Sequence, residues 1–137
     1  MLKVYTDGGA RGNPGPAAIG VYITDEHGNK VYAFGKKIGI ATNNVAEYKA
    51  VIEALCWLVL QSSLIKAHKT IVFFLDSQLI YSQIVGAFKV KNEVLQSLIF
   101  TVQKKMQQIS ATISFVHIPR EANIEADRYV NIALDTN

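Results

Sequence analysis

Val4-Tyr5-Thr6-Asp7-Gly8-Gly9-Ala10-Arg11-Gly12-Asn13-Pro14-Gly15-Pro16 is the stretch from which the rest of the chain is read. Leu2, Val4 and Tyr5 suit a buried strand, and Asp7 follows directly, at an edge where solvent or an ion reaches it. Four glycines between positions 8 and 15 let the backbone take positive φ angles and come close to another group. Backbone N–H groups in such a loop suit phosphate or ribose oxygens. Taken alone, the stretch reads first as a hairpin turn beside a solvated acid, and the acids that follow change that reading.

The chain has 137 residues, enough for one domain that buries roughly two-thirds of its unfolded surface. Half of it is hydrophobic and only 18% is charged, which argues against disorder. Fourteen basic against 11 acidic residues leave a net charge of +3, compatible with a nucleic-acid partner but not requiring one. The single cysteine, Cys56, excludes an internal disulfide, and its apolar setting predicts a buried thiol. Met1-Leu2-Lys3-Val4 enters a strand at once, so no signal peptide is expected. No apolar run approaches the ~18 residues of a membrane span. The expectation is a soluble, cytoplasmic protein that makes no contact with a membrane.

Ala17 to Thr24 reads as a second strand and Lys30 to Ile40 as a third, joined by a turn at Asp25–Asn29 in which His27 is an ordinary polar residue. Thr42-Asn43-Asn44 caps a helix from Val45 to Gln61, with Val51, Ala54, Leu55 and Leu58 on its core face. Glu47 falls in the first turn, where a carboxylate suits the helix dipole. Ser62 to Lys69 reads as a polar linker. Thr70 to Leu75 is a continuous apolar run, the mark of a central strand, and Asp76 stands at its carboxyl end. Asp76 or Ser77 also suits the cap of a short helix, Gln78 to Val85. Gly86 to Lys91 is a connector. Asn92 caps a helix to Gln108, Ala111 to Ile118 is a last strand, and Asn123 caps a final helix carrying Asp127.

A meander followed by strand–helix–strand crossovers predicts an α/β fold with a mixed sheet flanked by helices. Asp7 and Asp76 then stand side by side, and the helices bearing Glu47 and Asp127 start nearby. Four ionised carboxylates in one place repel unless cations sit among them. Ligation by oxygen alone selects a hard ion, Mg²⁺ or Mn²⁺. Two such ions about 3.5–4 Å apart support in-line phosphoryl displacement. One cysteine and three scattered histidines give no zinc spacing, and no Gly-x-Ser-x-Gly elbow is present.

Thr6-Asp7-Gly8-Gly9-Ala10-Arg11-Gly12-Asn13-Pro14-Gly15, Thr42-Asn43-Asn44-Val45-Ala46-Glu47, Leu75-Asp76-Ser77-Gln78 and Asn123-Ile124-Glu125-Ala126-Asp127 together resemble the type 1 ribonuclease H family, in order and over essentially the whole chain. The resemblance implies one ribonuclease H-like domain over residues 1–137, with a five-stranded mixed sheet, three antiparallel strands and then parallel ones. It implies hydrolysis of the RNA strand of RNA–DNA hybrids, leaving 5′-phosphate and 3′-hydroxyl ends. Asp7, Glu47, Asp76 and Asp127 would be the metal-binding catalytic carboxylates. Gly8, Gly9, Arg11, Gly12, Asn13, Asn43, Asn44 and Gln78 would grip the hybrid, amides suiting 2′-hydroxyls and base edges.

Two departures from the family pattern stand out. Arg120 occupies the place of a loop histidine that many members use in product release; guanidinium binds phosphate well but cannot shuttle a proton near neutral pH. Arg120 is therefore carried as a catalytic candidate in place of that histidine, while His117 reads as a structural strand residue. The connector Gly86–Lys91 is short, where some relatives have a long basic insertion, so the chain is most similar to the compact members. A monomer is expected, with a recruiting protein as a second source of hybrid affinity. The rival readings are a non-catalytic binding module on this fold and a related nuclease acting on DNA or double-stranded RNA.

Overall fold

The computed structural model describes residues 1–136. Five strands form one sheet: β1 (Leu2–Ala10), β2 (Gly15–Asp25), β3 (Lys30–Ala41), β4 (Thr70–Leu75) and β5 (Thr112–His117), in the order β3-β2-β1-β4-β5. β1 lies at the centre, antiparallel to β2 and parallel to β4, and β4 is parallel to β5. The expected mixed sheet is present. The helices are α1 (Asn43–Val59), α2 (Ser62–Ala67), α3 (Gln78–Ile84), α4 (Glu93–Gln107) and α5 (Ile124–Asp135), with a 3₁₀ turn at Arg120–Ala122. No helix among the described residues is long and apolar enough to cross a membrane.

Period-two alternation in β1 sends Leu2 and Val4 to the face covered by α1, where they are completely buried with Val51, Leu55 and Leu58. Val51, Ala54, Leu55 and Leu58 are the core face the sequence predicts. The larger of these, Val51, Leu55 and Leu58, contribute about 1.5–3 kcal/mol each through burial. The other face carries α5, whose backbone lies directly over Gly20 and Gly35. An ion pair from Lys36 Nζ to Glu53 Oε1 at 3.0 Å ties β3 to α1.

Several expectations need correction. β1 does not end before Asp7; it continues to Ala10, so Asp7 is a strand residue opposite Gly20. Gly8 and Gly9 pair with Ile19 and Ala18, and only residues 11–14 remain of the expected loop. Pairing with β2 outweighs the low strand propensity of glycine. Ser62–Ala67 is a helix and not a linker, because Ile65 and Leu64 pack onto the core beneath it. Thr42 Oγ1 caps α1 by accepting from Val45 N at 3.3 Å, so the helix begins at Asn43 and Glu47 lies beyond its first turn. Cys56 is half-buried rather than buried. His117 is exposed at the end of β5.

Gly8 governs how close α1 comes. A Cβ there would stand 2.2 Å from the carbonyl carbon and oxygen of Ala46 and 2.5 Å from the nitrogen of Glu47. A Cβ at Gly9 would meet only Val130 Cγ1, at an ordinary 3.7 Å. Gly8→Ala is therefore expected to destabilise the protein by about 3 kcal/mol or more in urea unfolding, since backbone must move. Gly9→Ala should stay within about 1 kcal/mol of the parent.

Candidate metal centre

The parallel register of β1 and β4 pairs Tyr5 with Phe74. Carried two residues further, it sets Asp7 beside Asp76, just past the end of β4. α1 brings Glu47 over Gly8 to the same point. One carboxylate oxygen from each of Asp7, Glu47 and Asp76 lies within 4.8 Å of the others. Asp7 and Glu47 are buried, and Asp76 is half-buried.

Burial pushes Asp7 up from its ordinary 3.8 to about 7, with the charge of Asp76 as the next cause. Burial, and then the charges of Asp7 and Asp76, raise Glu47 well above the usual carboxylate range. The dipole of α1 cannot account for Glu47, which lies past the first turn. Gly8 N donates to Asp7 Oδ1 at 3.0 Å. Asp76 Oδ2 accepts from Asn123 Nδ2 at 2.8 Å. Buried acids that oppose one another's ionisation, with oxygen as the only donor atom, fit a hard divalent cation.

Asp127 is exposed on the first turn of α5 and stands outside that triad, but it lines the same cleft of about 440 Å³. Its charge and a hydrogen bond reach Asp7 and help to raise it. Arg120 lines this cleft too, together with Gly8, Gly9, Arg11 and Asn43. Gly12, Asn13, Asn44 and Gln78 lie exposed outside its lining.

Local contacts assign atoms to several of these residues. Arg11 Nη2 is held by Asp135 Oδ1 at 2.6 Å, which pins the tip of the β1–β2 turn to the end of α5. Asn43 Oδ1 accepts from Ala10 N at 2.9 Å, and Asn13 Oδ1 accepts from Asn43 N at 2.9 Å. Both carbonyl ends are therefore engaged by backbone N–H groups, and each side chain keeps its NH₂ end to offer as a donor. Ser77, and not Asp76, caps α3, accepting from Ile80 N at 3.3 Å, so Asp76 is not needed as a cap.

The roles of two asparagines near the cleft escape a reading of the sequence, Asn131 in its lining and Asn123 buried behind it. Asn131 Nδ2 donates to the backbone oxygen of Asp127 at 3.1 Å and to its Oδ2 at 3.4 Å; the four-residue helical spacing is the signal that could have found it. Asn123 occupies the expected cap position of α5 but makes no capping bond with its side chain.

Comparison with known proteins agrees with this geometry. Residues 5–133 match the reverse transcriptase-like family. LC11-RNase H1, isolated from compost by a metagenomic approach, superposes with a TM-score of 0.92 at 44% identity, covering 98% of this chain and 96% of that one. The same protein has also been solved in complex with an RNA/DNA hybrid, with a TM-score of 0.91 at 45% identity over 98% and 97% of the two chains. RNase H1 of the halophilic archaeon Halobacterium salinarum gives 0.86 at 36% identity, over 98% of this chain and 97% of that one. A bifunctional protein of Mycobacterium tuberculosis is 37% identical over 136 residues; the match covers 98% of this chain but only 35% of that protein. The chain thus spans about a third of the length of its mycobacterial relative. Its family is set by matches that run nearly end to end: the chain belongs to the reverse transcriptase-like family, among the type 1 ribonucleases H.

Proposed function

We propose that this chain is a divalent-cation-dependent endonuclease that hydrolyses the RNA strand of RNA–DNA hybrids, leaving 5′-phosphate and 3′-hydroxyl ends. The observation that carries the reading is the triad of Asp7, Glu47 and Asp76, each offering an oxygen within 4.8 Å of the others. The hybrid complex of LC11-RNase H1 supports the choice of substrate. A pure binding module would gain nothing from two buried carboxylates that cost stability. We further read residues 1–137 as a single ribonuclease H-like domain that acts as a monomer in the cytoplasm.

Asp7, Glu47 and Asp76 would hold the cation, with Asp127 at the rim completing a second site. Mg²⁺ or Mn²⁺ bound there supplies the positive charge that activates water and stabilises the leaving oxygen of an in-line displacement. The chain's own residues do the rest. Arg120 presents a permanently charged fork to a phosphate oxygen and positions the scissile strand without exchanging a proton. Asn43 and Asn13, with only donor ends free, bond acceptor atoms of the hybrid, such as 2′-hydroxyl oxygens and minor-groove base edges. Gly8 and Gly9 keep the floor of the cleft low. Asn44 and Gln78, exposed on either side, are read as further contacts to the duplex.

Incubating the protein with an end-labelled RNA–DNA hybrid in Mg²⁺, Mn²⁺ or EDTA tests the proposal. Cutting of the RNA strand in either metal is expected, with none in EDTA and a loss of at least about a thousandfold in Asp76→Asn. Binding without cutting by folded protein would favour the module, and equal cutting of double-stranded RNA would widen the substrate class. Asn43→Asp keeps the acceptor for Ala10 N but turns a repelling oxygen toward the strand. It should raise the KM for hybrid about tenfold or more with little change in melting temperature.

The raised acids also set a pH dependence. Asp7 and Glu47 hold protons more tightly folded than unfolded, so stability of the metal-free protein falls as pH rises from about 4 through about 7. Metal-free protein should melt several degrees lower at about pH 8 than at about pH 5. Mg²⁺ or Mn²⁺ should remove most of that fall, and Asp7→Asn should flatten it and abolish the response to metal, as read by calorimetry.

A further inference from the structure

We infer that Asn123 is a positioning residue of the acid cluster, holding Asp76 in the orientation that faces Asp7 and Glu47; the inference rests on the metal-site reading above. Asn123 is 1% exposed. Its Nδ2 donates to Asp76 Oδ2 at 2.8 Å and to the backbone oxygen of Thr6 at 2.9 Å. One amide group thus spends both protons on the two ends it bridges, the residue before Asp7 and the acid after β4. With Oδ2 held, the other oxygen of Asp76 is left to ligate.

The backbone of the same residue reaches the remaining members of the cleft. Asn123 N donates to the oxygen of Arg120 at 2.9 Å, and Asp127 N donates to the oxygen of Asn123 at 3.2 Å. Asn123 is therefore the point where the turn of Arg120, the helix of Asp127, the strand of Asp7 and the side chain of Asp76 meet.

Two features separate positioning from simple packing. Asparagine at a helix N-cap normally accepts a bond from the first turn, and here the side chain makes none. Its Oδ1 is buried without a partner among the described residues, a cost that an apolar side chain of the same volume would avoid. What the asparagine supplies, and leucine, aspartate or serine cannot, is two N–H donors on one atom. Hydrogen bonds to ligating carboxylates fix their orientation, and their loss typically weakens metal binding 10–100-fold.

The test is calorimetric titration of Mn²⁺ into metal-free parent, Asn123→Leu and Asn123→Ala, with melting curves for each. Tyr48→Phe is the comparator: it removes a different buried hydrogen bond, Tyr48 Oη to Gln83 Oε1 at 2.6 Å, that touches no carboxylate. The expected result is Mn²⁺ affinity lowered about 10–100-fold in both Asn123 variants and unchanged in Tyr48→Phe. In cleavage of the hybrid, kcat and the Mn²⁺ needed for half-maximal rate should move while KM for hybrid stays. Parent-like Mn²⁺ affinity in folded Asn123→Leu overturns the inference. So does failure of both variants to fold, which would make Asn123 a latch of the fold. A parent protein that binds no Mn²⁺ overturns the metal-site reading itself, and is thereby distinguished.

Discussion

Like charges forced out of water at one point are the constraint on which this structure turns. Asp7 and Glu47 are buried beside Asp76, and burial together with mutual repulsion drives both acids toward their protonated forms. No basic side chain pairs with them among the described residues; the ion pairs there lie elsewhere, among them Arg11–Asp135, Lys36–Glu53 and Arg128–Glu125. A fold that keeps this arrangement must hold the carboxylates against their own repulsion. It must also leave their oxygens reachable from a cleft.

The backbone meets the first demand. β1 runs through the middle of the sheet, bonded to β4 through Tyr5 and to β2 along its whole length, so Asp7 is held on a central strand opposite Gly20. Glu47 is delivered by a helix that rests on the bare backbone of Gly8. A side chain at that position would lift α1 away and take Glu47 out of reach of Asp7. Asp76 follows β4 directly, and its freedom to swing is removed by Asn123. Rigid elements placing reactive groups within a few tenths of an ångström are what an electrostatic site requires.

The second demand, access, is met by the short turn at residues 11–14 and by the 3₁₀ turn at Arg120. The turn is fixed to α5 through Arg11 and to α1 through Asn13 and Asn43. These contacts engage the carbonyl ends of Asn13 and Asn43 and leave their NH₂ ends as donors. A surface that offers donors around an acid pocket suits a polyanion whose backbone supplies acceptors and whose charge is neutralised at the pocket by cations.

Much of this was legible in the residue order. Alternation in the first three strands, the apolar run Thr70–Leu75 and the core spacing of Val51, Ala54, Leu55 and Leu58 are local patterns, and they determined the mixed sheet with its flanking helices. The positions of Asp7 and Asp76 at the ends of apolar stretches were local too, and so they marked the site. Tertiary structure alone decided the rest, because it depends on partners far along the chain. Gly8 and Gly9 are strand because β2 lies beside them, and Ser62–Ala67 is helix because Ile65 has a core to enter. Asn123 reads as a cap from its neighbours, yet its side chain serves an acid 47 positions away and a carbonyl 117 positions away. Hydrogen-bond partners at that separation leave no local trace, since any asparagine before a helix satisfies the same sequence rule.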